Sequence, residues 1–172
     1  VRAFVAVWPS EPVRRALRRL DRPDRPDVRW ITEDQWHVTL VFLGDVEPRH
    51  SADFARALEG AAAGCDPVTA VLGPRTERSG PGLLWVPVRG LEAVAGAVRG
   101  AVEPLGCPQE AEVFRGHLTV ARSRRRRRLP AGLAGAPLSA TWEVGEISLV
   151  TSVLEPSGAR YEVVAAARLA PR

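Results

Sequence analysis

The chain runs in short apolar blocks, and the period of each block predicts its element. Arg2 to Val7 (RAFVAV) has strand composition. Val13, Leu17 and Leu20 then recur at helical spacing among arginines, behind Ser10 as an N-cap and Pro12 in the first turn. Asp21 to Asp27 (DRPDRPD) breaks that helix into a loop. Val28 to Ile31 reads as a short strand, and Trp36 to Leu43 (WHVTLVFL) as a longer one closed by Gly44-Asp45. Residues 49–63 form an Ala-rich helix ended at Gly64, and Val68 to Leu72 is a strand. Arg75 to Gly82 is a loop. Leu83 to Val88 (LLWVPV) is a strand whose Pro87 suits a sheet edge.

A third helix spans Leu91 to Val102, with Leu91, Val94, Val98 and Val102 near one face. Phe114 to Arg122 is a strand, and Ser123 to Gly135 an Arg-rich loop. Trp142 to Val153 and Tyr161 to Leu169 are two further strands, joined through the turn Glu155-Pro156-Ser157-Gly158. Several strand pairs have connections too short for a crossover helix. This predicts an α+β fold with antiparallel sheets and disfavours a doubly wound parallel one.

The chain also resembles itself at an offset of 80. Phe4, Val5 and Ala6 fall on Leu84, Trp85 and Val86. His37, Val38, Thr39 and Leu40 fall on His117, Leu118, Thr119 and Val120. Each half reads strand, helix, then a strand carrying His-apolar-Thr-apolar. A twofold repeat of this kind predicts two similar lobes related by a pseudo-twofold axis, with their His strands facing across a shared cleft.

Residues i and i+2 of a strand share a face. His37 therefore sides with Thr39 and His117 with Thr119, while Val38 and Leu118 point into a core. Two imidazoles and two hydroxyls converging on one volume suit a phosphate. Imidazole gains and loses a proton near neutral pH, and hydroxyls donate to phosphoryl oxygens. One histidine would take a proton from the attacking oxygen and the other give one to the leaving oxygen. Each transfer is typically worth ~10²–10⁴ in rate. Thr39, Thr119 and an arginine would stabilise the developing charge. A lone His-x-Thr in a strand carries little, but two copies at matching repeat positions point to function.

Composition narrows the partners. Hydrophobic residues are 45% and charged residues 26%, a globular balance and not a disordered one. No apolar run reaches membrane-spanning length. The run Val1 to Trp8 lacks a basic lead and a small-residue cleavage site, so it reads as a strand and not as a signal peptide. The net charge is +4, and all 24 basic residues are arginine. A basic surface attracts polyanions. Cys65 and Cys107 stand in no metal-ligand spacing and read as unpaired thiols of a cytoplasmic protein. No Gly-rich triphosphate motif occurs.

The two motifs, His37-Val38-Thr39-Leu40-Val41-Phe42-Leu43-Gly44 and His117-Leu118-Thr119-Val120-Ala121-Arg122, resemble the signatures of the 2H phosphoesterases. The branch they resemble is the RNA 2′,3′-cyclic phosphodiesterases, historically called 2′-5′ RNA ligases. RAFVAV, Arg29-Trp30, Leu84-Trp85-Val86 and the stretch Leu149 to Tyr161 extend the resemblance over nearly the whole chain. It implies a bilobal α+β fold: two pseudo-symmetric lobes with antiparallel sheets flanked by helices, around a central cleft. Residues 1–172 would be a single domain of two interleaved lobes. It implies hydrolysis of RNA 2′,3′-cyclic phosphate ends to 2′-phosphate, with no metal and no cofactor. His37 and His117 would be catalytic, His37 protonating the departing O3′ and His117 activating water. Thr39, Thr119 and Arg122 would bind phosphate. In the relatives an aromatic and a guanidinium sandwich the terminal base, and Phe42 and Arg122 match them, five residues after each histidine. Five is odd, so in ideal strands both would face away from the histidines; the strands must bend, bulge or end first.

One departure is Gly116, where relatives usually have Pro before the second histidine; glycine should loosen this approach. His50 reads as a surface residue. Arg124 to Arg128 reads either as a solvated loop or as a phosphate-binding strap for longer RNA. Trp30 and Trp85 read as core residues with lining the cleft as the alternative, Tyr161 as a core residue, and Glu33 and Asp34 as turn residues. The expected partners are RNA ends or small cyclic nucleotides, with no membrane, on a monomer. Two rival functions stand beside the first: a phosphodiesterase or ligase for 2′-5′ linked or other small cyclic nucleotides, and a non-catalytic RNA-binding module.

Overall fold

A computed structural model describes residues 1–108, 112–124 and 127–170. Ten strands are paired antiparallel: β1 Arg2–Val7, β2 Val28–Trp30, β3 Val38–Asp45, β4 Val68–Leu72, β5 Glu77–Ser79, β6 Leu83–Arg89, β7 His117–Ser123, β8 Ala140–Val144, β9 Glu146–Glu155 and β10 Gly158–Arg168. Their order across the sheet is β10-β9-β1-β3-β7-β6-β4-β8, with β2 beside β7 and β5 beside β6. Four strands of this path therefore lie on each side of the β3/β7 seam. The helices are α1 Glu11–Arg18, α2 Ser51–Ala63 and α3 Glu92–Val102. The α+β class and the bilobal antiparallel architecture follow the sequence expectation.

Helix α1 buries Val13 and Leu17. Ser10 occupies its cap position and Pro12 its first turn, but the Ser10 hydroxyl makes no capping bond. Helices α2 and α3 pack on each other, α3 on β3 and α2 on β9 and β10. The face read for α3 is buried, with Leu91, Val94, Val98 and Val102 each at most 2% exposed. Full burial of such side chains contributes about 1.5–3 kcal/mol apiece. Strand β1 is buried on both faces. Ala3, Val5 and Val7 join the main core. Phe4 and Ala6 form a second cluster with Val150, flanked by Trp8 and Tyr161.

Three strand expectations need correction. Trp142 to Val153 is not one strand. It breaks at Gly145 into β8, at the outside of one lobe, and β9, inside the other. The apolar phase shifts there: Trp142 and Val144 are buried before the glycine, Ile147 and Leu149 after it. The loop Arg75 to Gly82 contains β5, whose Glu-Arg-Ser sequence carries no apolar alternation. Pro87 does not mark an edge, because β7 lies on one side of β6 and β4 and β5 on the other. Strand β5 pairs with Leu83 to Trp85 and β4 with Val88 and Arg89, so the missing N–H of Pro87 falls in the gap between them. Its carbonyl is used, accepting from the Gly73 N–H at 2.9 Å.

Candidate active site

The two halves repeat in hydrogen-bond register as well as in sequence. Val5 faces Val41 and Ala6 faces Thr39 across β1/β3, leaving Leu40 as an extra residue. Leu84 faces Ala121 and Trp85 faces Thr119 across β6/β7, leaving Val120 as the extra residue. Both His strands thus carry a β-bulge at the same place. The structural counterpart of Trp85 is Ala6, one residue along from the Val5 that the offset of 80 assigns. Val38 pairs with Leu118 where β3 meets β7. These residues are each other's counterparts, so the pseudo-twofold axis passes between them.

The bulges resolve the parity conflict. Each supplies two consecutive buried residues, Leu40-Val41 and Val120-Ala121. The residue after each pair then returns to the face of the histidine. Phe42 and Arg122 accordingly line the same cleft as His37, Thr39, His117 and Thr119. The cleft has a volume of about 610 Å³. All six residues singled out by the sequence meet there. Phe42 is 54% exposed, so its ring is free to take a base and is not part of the core.

The histidines are oriented alike. His37 Nδ1 lies 2.7 Å from the Gln35 carbonyl oxygen, and His117 Nδ1 lies 2.7 Å from that of Arg115. A carbonyl can only accept, so each Nδ1–H donates, and in the neutral ring Nε2 carries the lone pair. His37 Nε2 accepts from the Thr39 hydroxyl at 3.0 Å. Gln35 in turn donates its side-chain amide to the Ala159 carbonyl, tying the first histidine to the start of β10.

Their surroundings differ. His37 sits in an aromatic box, its ring centroid 5.0 Å from Phe4, 5.3 Å from Tyr161 and 5.9 Å from Trp8. Burial holds its pKa below the ordinary imidazole value; the Gln35 carbonyl opposes this, while the charges of Arg122 and His117 add to it. The His117 ring centroid lies 3.9 Å from that of Trp85, and its hydrogen bond to the Arg115 carbonyl is exposed where that of His37 is part-buried. Tyr161, read as core, is therefore a site aromatic, and Trp85 follows its cleft alternative by packing on His117. Trp30 packs on the core as read, with its indole N–H donated to the Pro23 carbonyl at 2.9 Å.

Two arginines besides Arg122 line the cleft, Arg2 and Arg29, and no carboxylate does among the described residues. Arg29 stands directly opposite Arg122 in the β2/β7 register. Like charges so placed are destabilising unless an anion lies between them. Burial raises the Tyr161 pKa, and both Arg122 and Arg29 act against that rise. Arg29 lies outside both His-x-Thr motifs, which is why the sequence did not single it out. Its signal was the strand pairing of Arg29-Trp30 with the second motif, which residue order does not reveal.

Gly116 does not loosen the strand as expected. A Cβ there would lie 2.3 Å from the Val88 carbonyl oxygen, and the Val88 N–H donates to the Gly116 carbonyl at 2.9 Å. The glycine lets β6 close on the chain immediately before His117. His50 is exposed at the turn before α2, as read. Glu33 pairs with Arg18 outside the cleft. Cys65 and Cys107 are unpaired thiols. Among the described residues no helix is long and apolar enough to cross a membrane. Of the run Arg124 to Arg128, Arg125 and Arg126 lie outside the described residues.

A fold of two antiparallel lobes meeting at paired His-x-Thr strands defines a two-histidine phosphoesterase architecture. A profile of the 2'-5' RNA ligase superfamily matches residues 8–154, and the chain belongs to that superfamily. An RNA 2',3'-cyclic phosphodiesterase of Geobacillus stearothermophilus is 30% identical over 175 residues, covering 95% of this chain and 55% of that protein. The chain thus spans about half the length of this relative. The crystal structure of TT0787 of Thermus thermophilus is similar with a TM-score of 0.85 at 28% identity, covering 98% of both chains. That of E. coli LigT complexed with 3'-AMP has a TM-score of 0.74 at 22% identity, covering 99% of this chain and 98% of that one; it supports the fold alone.

Proposed function

We propose that the protein hydrolyses RNA 2′,3′-cyclic phosphate ends to 2′-phosphates, with His37 and His117 as the acid–base pair and no metal. One observation carries this reading. Two imidazoles, each fixed through Nδ1 to a carbonyl two residues earlier, line one arginine-bearing cleft without a carboxylate among the described residues. Superfamily membership and the activity named for the Geobacillus relative support the same reading.

In the reaction, water attacks phosphorus as the P–O3′ bond breaks. His117 Nε2 takes the water proton, and His37 Nε2 gives a proton to O3′. The product carries a 2′-phosphate and a free 3′-hydroxyl. His117 has the base role because its hydrogen bond to the Arg115 carbonyl is exposed to water, while that of His37 is part-buried. His37, boxed by Phe4, Trp8 and Tyr161, is screened from solvent beside the leaving oxygen. The bound phosphodiester anion offsets the push of Arg122 on His37 and favours the imidazolium that donates. Thr39, Thr119 and Arg122 hold the non-bridging oxygens as charge builds. Phe42 and the Arg122 plane take the terminal base between them by stacking, which every base permits.

The test is hydrolysis of an RNA ending in a 2′,3′-cyclic phosphate in excess EDTA, with the product's phosphate position assigned. A 2′-phosphate formed at the rate seen without chelator is expected. A 3′-phosphate product, or loss of turnover in EDTA, contradicts the proposal.

A further inference from the structure

The geometry points to a second nucleic-acid subsite, a groove between Arg25, Arg124 and Arg127 that holds the RNA backbone upstream of the terminal nucleotide. This rests on the phosphodiesterase reading and specifies its substrate as an RNA chain in preference to a mononucleotide.

The groove has a volume of about 480 Å³ and is lined by Arg25, Pro26, Asp27, Arg124 and Arg127. Its position follows from the β2/β7 ladder. Arg29 faces Arg122 inside the active-site cleft, and Val28 faces Ser123. One step further, the Arg124 N–H donates to the Asp27 carbonyl at 2.8 Å. Arg124 is two residues beyond Arg122, at the bend where β7 ends, about 7 Å further along the chain. That distance is comparable to one nucleotide step. The Arg127 N–H donates to the Arg124 carbonyl at 3.3 Å, and Leu129, 2% exposed, anchors the chain beyond.

The charge balance also suits a polyanion. Asp27 is the carboxylate of the groove, and it lies 3.6 Å from Arg25. Arg124 and Arg127 are exposed and have no carboxylate partner among the described residues. An RNA whose terminal base lies between Phe42 and Arg122 has to leave the cleft somewhere. The groove arginines beyond the end of β7 give its preceding phosphates a cationic path, with no demand on base identity.

The experiment compares two substrates over a series of salt concentrations: a 2′,3′-cyclic mononucleotide, and a short single-stranded RNA with the same terminal nucleotide. The enzymes are the wild type and the triple variant Arg25→Ser, Arg124→Ser, Arg127→Ser. The wild type should favour the RNA in kcat/KM by at least about tenfold at low salt. The variant should lose that preference and keep its mononucleotide kinetics, which also reports an intact fold. Each lost phosphate contact removes about 0.7 from the log–log salt slope for single strands, so the RNA slope should fall by about 2. Equal kcat/KM for both substrates in the wild type, or an unchanged preference in the variant, overturns the subsite. If the wild type turns over neither substrate, the phosphodiesterase reading fails. Fluorescence anisotropy of the same labelled RNA then decides the groove alone: weaker binding by the variant supports it, and unchanged binding overturns it.

Discussion

Val38 and Leu118 face each other where β3 meets β7, each fully buried, and each is the other's counterpart in the repeat. The paired residues of the cleft lie at equal steps from this pair. His37 and His117 are one residue before it, Thr39 and Thr119 one after, and Phe42 and Arg122 four after, beyond a bulge. The seam fixes the separation of the two imidazoles through packed backbone and not through flexible loops.

Gly116 sets the approach of the second imidazole. In Gly116→Ala the new methyl meets the Val88 carbonyl oxygen, and the backbone must yield. Overpacking of this kind costs about 1–3 kcal/mol. Thermal unfolding should show that loss, and kcat on a cyclic phosphate end should fall at least about tenfold because His117 moves with the chain. Unchanged kcat together with an unchanged Tm contradicts the close packing.

Phe42 is exposed in the cleft, so its removal leaves the core intact. Loss of a base–aromatic stack costs about 1–3 kcal/mol. Phe42→Ala should therefore raise KM about five- to a hundredfold and leave kcat within about twofold. Steady-state kinetics separate the two, and a kcat defect with unchanged KM contradicts base stacking.

NMR titration of the His37 ring signals reports that imidazole's protonation in the free enzyme. His37 is held below the ordinary value by burial, with Arg122 and His117 adding to it. Removing the Arg122 charge favours the imidazolium and raises that pKa. In Arg122→Gln the His37 ring signals should titrate at higher pH, and KM should rise. A His37 titration that stays in place or moves to lower pH contradicts the electrostatic link.

The two histidines and two threonines were legible in the repeated motifs, Phe42 and Arg122 through the family resemblance, and the α+β class through connections too short for crossover helices. The bulges that make Phe42 and Arg122 useful were legible only as a parity conflict, since an extra residue is defined by its partner strand. The break at Gly145 was visible as a shift of apolar phase between Val144 and Ile147, but a lone glycine in a strand also reads as a bulge. Strand β5 left no trace because Glu77–Ser79 pairs through backbone with no buried alternation. Arg29 and Tyr161 reach the cleft only through the β2/β7 and β9/β10 pairings, and Trp85 reaches His117 through β6/β7. The role of Gly116 depends on Val88, which is remote in sequence.

The assignment of roles has its own test in the leaving group. A cyclic substrate with sulfur in place of the bridging O3′ releases a thiolate that needs little protonation. His37→Ala should recover much of its rate on that substrate, and His117→Ala should not. Recovery in His117→Ala alone reverses the two roles.

The acid–base pair itself is decided by kcat on an RNA 2′,3′-cyclic phosphate end for His37→Ala and His117→Ala, each checked for wild-type thermal stability. Each variant should lose at least about 10²-fold. Either folded variant turning over at the wild-type rate would contradict a two-histidine mechanism.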